Sequence, residues 1–149
     1  MKQTISAHQV LTRKLCCSLD QTQTYWTFEF FISLSLTTAI KELGMAVHLE
    51  TSGAYPYSGN FDWVTFSPKQ FKSPHPSIYQ HVNEIKVVIT GEYDLKWAEQ
   101  QAALVSPKTL KYLQPEWNTP KSKELIFNYV RKNPQWRISL QTHKLLQVK

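Results

Sequence analysis

The run Glu84-Ile85-Lys86-Val87-Val88-Ile89-Thr90 constrains the chain most. Its centre is β-branched and it stops before Gly91, so it predicts a strand that must find partners elsewhere in the sequence. Met45 to Thr51 is an apolar run ending in Ser52-Gly53 and predicts an earlier strand. Phe61 to Ser67 carries apolar residues on both faces and stops at Pro68, the pattern of a buried strand. Leu110 to Leu113 predicts a short fourth strand, and Trp136, Ile138 and Leu140 alternate with Arg137, Ser139 and Gln141 as a last one.

Helical patterns lie between these runs. Leu36, Ile40 and Leu43 are spaced for a helix that ends at Gly44. Asp94 is placed to cap a helix over Leu95 to Leu104, which Ser106-Pro107 breaks. Thr119 is placed to cap another, with Pro120 at its first position and Leu125, Ile126, Tyr129 and Val130 on one face, as far as Asn133-Pro134. Strands separated by helices pair in parallel, because a parallel connection needs a dozen or more residues. The expected class is α/β, in one domain: 149 residues, 42% of them hydrophobic, suffice for one core. Parallel sheets gather ligands at the carboxyl ends of their strands. That singles out Glu50 to Gly53, Ser67 to Lys69 and Gln114 to Trp117.

The formal charge of +6 comes from scattered Lys and Arg, with no run interleaved with aromatics. It reads as a solvated basic surface and not as a nucleic-acid platform. The two cysteines, Cys16 and Cys17, are adjacent, where a bridge is strained, so free thiols in a reducing cytoplasm are expected. The most apolar stretch, Tyr25 to Leu36, is interrupted by Glu29 and falls short of the ~20 residues that span a bilayer, so no membrane association is expected. It also starts too late for a secretory signal.

Familiar catalytic signatures are missing. The histidines (His8, His48, His75, His81, His143) show no HxxxH or HExxH spacing, and no GxSxG, GxxxxGKS or GxGxxG occurs. Glu50, Asp62, Glu84 and Glu92 lie at no spacing that fixes a carboxylate pair, and His48 reads as a half-buried strand residue. Residue by residue, the chain reads as an α/β domain with unnamed polar loops.

Five ordered segments go further: His48-Leu49-Glu50-Thr51-Ser52-Gly53, Phe61 to Lys69, Glu84-Ile85-Lys86-Val87-Val88, Leu113-Gln114-Pro115-Glu116, and Trp136 to Lys144. Together, from about Leu36 onward and over roughly three quarters of the chain, they resemble the C-terminal half of the 7-carboxy-7-deazaguanine synthase family of radical S-adenosylmethionine enzymes. The resemblance implies a partial (β/α) barrel of mainly parallel strands with crossover helices, its N-terminal strands missing. It implies a lyase reaction that converts 6-carboxy-5,6,7,8-tetrahydropterin to 7-carboxy-7-deazaguanine with loss of ammonia, on the route to queuosine. It also implies S-adenosylmethionine and a 4Fe-4S cluster that together generate a hydrogen-abstracting radical, with magnesium assisting. Implied partners are the small-molecule pterin and, as an allowed assembly, a homodimer; nucleic acid and membrane are not among them.

The family's site residues carry over by position. Ser67, Pro68 and Lys69 match its cofactor-binding tripeptide: a hydroxyl, a fixed turn and a charged donor. The same tripeptide at Ser106-Pro107-Lys108 is read as an ordinary turn. Gln114, Pro115, Glu116 and Trp117 match a second cofactor loop, in which Glu116 and Trp117 contribute main chain and Trp117 is a candidate stacking surface. Ser52 is a weaker cofactor candidate, and Lys149 stands where the family has a terminal substrate contact.

The family's CxxxCxxC cluster loop is not in this sequence, nor are its Gln-Gly-Glu-Gly and Gly-Gly-Glu-Pro segments. Residues 1–35 resemble nothing in the family and are expected to be a poorly ordered or artefactual segment, with 36–149 the C-terminal part of the radical core. The expectation for the chain alone is therefore a truncated, inactive form of the synthase. The alternatives are a non-catalytic fragment and an S-adenosylmethionine- or nucleoside-binding module.

Overall fold

The computed structural model describes residues 4–6 and 25–147. Six strands form one sheet in the order of the sequence: β1 (Thr4–Ser6), β2 (Ala46–Thr51), β3 (Trp63–Phe66), β4 (Glu84–Ile89), β5 (Leu110–Pro115) and β6 (Trp136–Ile138). Every pairing is parallel. Helix α1 (Tyr25–Glu42) precedes β2, α2 (Glu92–Ala102) joins β4 to β5, α3 (Pro120–Lys132) joins β5 to β6, and the short α4 (Thr142–Leu145) follows β6. A 3-10 turn, Pro76–His81, lies between β3 and β4. Sequential parallel strands with helical crossovers build the wall of a (β/α) barrel, as expected.

The sheet has two unlike faces. Ile85, Val87 and Ile89 of β4 are buried, while Glu84, Lys86 and Val88 between them are half-buried, the alternation a strand imposes. The buried set continues through Val64 and Phe66 of β3, Leu113 of β5 and Trp136 of β6, and packs with Leu95, Ala98 and Ala102 of α2 and Ile126 of α3 in one core. Glu99 of α2 ties this core together by accepting from the Tyr129 hydroxyl and from Trp136 Nε1 at 2.7 Å. The opposite face carries His48, Glu50, Thr65, Glu84, Lys86, Tyr112, Gln114 and Arg137 in rows set by the strand register.

Several local expectations change. Asp94 is not the N-cap of α2. Gly91 is, and Asp94 sits at the third helical position with its carboxylate folded back onto the N–H groups of Thr90 (2.6 Å) and Gly91 (3.1 Å). The helix therefore begins at Glu92, before the expected Leu95, and it ends at Ala102, before the expected Leu104. Thr119 occupies the N-cap of α3, but its hydroxyl donates to Glu116 Oε2 at 2.8 Å and caps no backbone N–H. β3 is shorter than Phe61 to Ser67, spanning Trp63–Phe66, although the N–H groups of Asp62 and Ser67 still bond across to Val47 O and Thr51 O before Pro68 stops the pairing. β5 runs two residues past Leu113, to Pro115, since β4 continues beside it to Ile89. The last strand stops at Ile138, leaving Leu140 exposed. Gly44 adopts φ +75° at the end of α1, as a left-handed stop requires. The boundary expected after residue 35 falls inside α1, and Thr4–Ser6 pair with β2.

Candidate functional site

The carboxyl ends of β2, β3, β4 and β5 point the same way because the strands are parallel, so their following loops share one rim. The register places Thr51 beside Phe66, and the N–H of Ser67 continues that ladder by donating to Thr51 O at 2.7 Å. Ser52 and Ser67 are thereby neighbours at the rim. Gly53 turns the chain away at φ +70°, stabilised by its N–H donating to Thr51 Oγ1 at 3.1 Å. A Cβ at Gly53 would lie 2.6 Å from Cε2 of Phe66, so only glycine fits there.

Ser67 and Pro68 are buried and Lys69 is half-buried, its ammonium donating to Ser67 Oγ at 3.3 Å. The next residue anchors this turn: Gln70 Nε2 donates to Asp94 Oδ1 at 2.6 Å. Asp94 thus links the loop after β3 to the loop after β4. Burial of Asp94 opposes its ionisation, but hydrogen bonds from the Thr90 side chain and backbone, from Gly91 and from Gln70 outweigh it and hold the carboxyl below its usual range. The second tripeptide copy, Ser106-Pro107-Lys108, is exposed and precedes β5, at the amino end of the sheet.

At the end of β5, Gln114 pairs with Val88 and lies on the polar face. Pro115 and Trp117, although at the same end of β5, present another surface. They line an apolar cleft against α3, β6 and α4 that includes none of Ser52, Ser67, Lys69 and Gln114. Glu116 is committed to its own turn. The Thr119 hydroxyl, and then the Asn118 N–H, lower the pKa of its carboxyl, with Lys144 and the Trp117 N–H adding to a shift that slight desolvation opposes. Of the expected cofactor residues, the structure brings Ser52, Ser67, Pro68, Lys69 and Gln114 to one rim and separates the Trp117 ring from them. Lys149 lies outside the described residues.

Residue-level reading of the sequence missed the floor beneath this rim. Lys86 Nζ meets Glu50 Oε1 at 2.6 Å, and His48 Nε2 meets Thr65 Oγ1 at 2.9 Å. Burial raises the pKa of Glu84, Lys86 and His48 counter it, and Glu50 adds to it. Arg137 lies 6.0 Å from the Tyr112 ring centroid. The available signal was Lys86 itself, a charge at the centre of an apolar strand.

No group of three or more His, Cys, Asp or Glu among the described residues could hold a metal ion. An iron–sulfur cluster has no thiolate among them either, since Cys16 and Cys17 lie outside the described residues. The rim, by contrast, offers polar groups suited to an organic cofactor: the Ser67 hydroxyl and the Lys69 ammonium stand just past β3 and the Gln114 carboxamide near the end of β5.

No protein-family model matches the chain. It is 51% identical over 114 residues to the 7-carboxy-7-deazaguanine synthase of Synechocystis sp., covering 76% of this chain and 55% of that protein. The same synthase of Flavobacterium psychrophilum is 45% identical over 116 residues, covering 76% of this chain and 54% of that protein. The chain is a homologue of the 7-carboxy-7-deazaguanine synthases. It spans about half the length of the synthases it matches. The fold agrees: the crystal structure of QueE from Escherichia coli superposes with a TM-score of 0.66 at 24% identity, covering 72% of this chain and 50% of that one. No helix among the described residues is long and apolar enough to cross a membrane.

Proposed function

We propose that this chain carries the cofactor-facing half of a 7-carboxy-7-deazaguanine synthase, and that its rim binds S-adenosylmethionine. The observation that carries the reading is the convergence of Ser52, Ser67, Lys69 and Gln114 on neighbouring carboxyl ends of a parallel sheet, in a chain homologous to the synthases over 114 residues. Ser67 and Ser52 offer hydroxyls to ribose or carboxylate oxygens. Lys69 supplies a charge-assisted donor, and the Gln114 amide both donates to and accepts from a nucleoside. Pro68 holds the turn, and Pro115 and Glu116 contribute main chain. When bound to a reduced cluster, S-adenosylmethionine supplies the hydrogen-abstracting radical of such enzymes. Here the chain's own residues bind and orient it.

The full reaction, from the tetrahydropterin to the deazaguanine with release of ammonia, needs cluster ligands that this sequence does not present as CxxxCxxC. With the sequence as it stands, the chain binds the cofactor and does not form the radical. Magnesium, the pterin, a homodimer and a cytoplasmic setting belong to the same reading, as does a substrate contact at Lys149.

Calorimetric titration of the purified chain with S-adenosylmethionine tests it. Saturable binding that weakens about tenfold or more in Ser67→Ala and Lys69→Ala is expected. Absence of binding to the wild-type chain overturns the cofactor reading. Reconstitution with iron and sulfide is expected to give no stoichiometric cluster and no product; a cluster with turnover would overturn the inactive assignment.

A further inference from the structure

The loop after β3 is fixed by backbone at two points. The N–H of Ser67 donates to Thr51 O, and the N–H of His75 donates to Gly53 O, each at 2.7 Å. Between them the chain makes a tight turn from Lys69 to Lys72, closed by the Lys72 N–H donating to Lys69 O at 3.3 Å. Apolar packing does not hold the tip of this turn, since Phe71 at its corner is 88% exposed. Side chains tie it down on either side. Gln70 Nε2 donates to Asp94 Oδ1 at 2.6 Å, beside the loop after β4, and Lys72 Nζ lies 3.9 Å from the ring centroid of Tyr55 in the loop after β2. Asp94 is itself a fixed anchor: its other oxygen, Oδ2, accepts from the N–H groups of Thr90 at 2.6 Å and Gly91 at 3.1 Å. The twin tripeptide has no such latch. There the Lys108 N–H donates to Ser106 Oγ at 3.3 Å, and among the described residues no side-chain hydrogen bond or ion pair joins Ser106 or Lys108 to another loop.

From this difference we infer that Gln70 and Lys72 are positioning residues, which hold Ser67, Pro68 and Lys69 ready for the cofactor by latching their turn to Asp94 on one side and Tyr55 on the other. The inference rests on the reading of the rim as the S-adenosylmethionine site. A loop that is ordered before its ligand arrives has less freedom to lose on binding, so the latches act on affinity. Gln70 and Lys72 are both exposed, and contacts between exposed side chains add little to global stability. Affinity and stability therefore separate.

Two quantities test it: ¹⁵N backbone order parameters of the ligand-free chain, and calorimetric affinity for S-adenosylmethionine. In Gln70→Leu and in Lys72→Met, order at residues 69–72 should fall while residues 108–109 of the twin stay as they are and the urea midpoint does not move. Affinity should weaken roughly fivefold in each. Gln70→Glu sets one carboxylate against another and should weaken binding further. Gln70→Glu/Asp94→Asn exchanges donor and acceptor: the new amide nitrogen faces the new carboxylate, while the amide oxygen keeps the Thr90 and Gly91 N–H groups. Loop order and affinity should then recover most of what Gln70→Glu loses. Unchanged order at 69–72 in Gln70→Leu and Lys72→Met overturns the inference. So does unchanged affinity where the native chain binds, or a double variant that recovers nothing. Absence of binding by the native chain overturns the cofactor reading instead, and the order parameters still decide whether the latches position the tripeptide.

Discussion

Lys86 of β4 reaches across β3 to place its ammonium 2.6 Å from the carboxylate of Glu50 on β2. The two partners are unequal: the Lys86 side chain is 19% exposed and that of Glu50 is 55% exposed. Removing Glu50 takes the contact partner from a largely buried cation and leaves it only the charge of Glu84, whereas removing Lys86 leaves a carboxylate that water can reach. Glu50→Ala should cost about 1–2 kcal/mol and Lys86→Met under about 1 kcal/mol. Urea unfolding of both variants and of the double variant measures the difference, and equal losses would refute the asymmetry.

Asp94 connects two rim loops, and its carboxyl is held below its usual range in the folded chain. A lowered folded pKa gives a contribution that is fully present above the unfolded value, about 3.9, and is lost as pH falls through the folded value. Asp94→Asn should therefore cost about 1 kcal/mol at neutral pH. The gap to wild type should close below about pH 4, as read from unfolding midpoints across an acid series.

Tyr129 titrates in the opposite sense. Burial, then the hydrogen bond to Glu99 and the charge of that carboxylate, push its pKa to about 12. A raised pKa stabilises the fold below the unfolded value, about 10, and the contribution is lost as pH rises toward about 12. Glu99→Leu should return the phenol toward its ordinary range, visible as tyrosinate absorbance at lower pH. It should also cost about 2 kcal/mol, because the Tyr129 hydroxyl and Trp136 Nε1 lose their acceptor.

Gly53→Ala meets two obstacles, a positive φ and the ring of Phe66 at 2.6 Å from the new Cβ. A loss of about 2 kcal/mol or more is expected, with the rim distorted where Ser52 and Ser67 adjoin. Gly44→Ala has the same handedness but open space, so its cost should be near 1 kcal/mol. Parallel urea titrations separate steric from conformational strain.

Much of the architecture was legible because it is local. The β-branched run at β4, the Gly44 stop and Pro120 at the first position of α3 each act within a few residues. The tripeptide at Ser67 to Lys69 was legible only through resemblance, since its twin at Ser106 to Lys108 is chemically identical. What distinguishes the two copies is the end of the sheet on which they fall. Trp117 shows the limit from the other side: three residues after Gln114, it lies in the turn beyond the end of β5, where no strand periodicity says which way its ring points. Asp94 was recognised as a helix-start residue but placed at the wrong position, because a side chain that caps and one that folds back onto the cap share the same chemistry.

The sequence by itself determined the parallel α/β order, the element types and the kinship with the synthases, since periodicity and motif identity are carried along the chain. The tertiary structure alone decided that Lys86 meets Glu50, 36 positions away, and that Trp117, in the loop after β5, lines an apolar cleft that Ser67 and Gln114 do not. Alternation tells which residues of one strand share a face. Which residues stand beside them on the next strand depends on register, and register is set by how the buried faces of all the strands pack together.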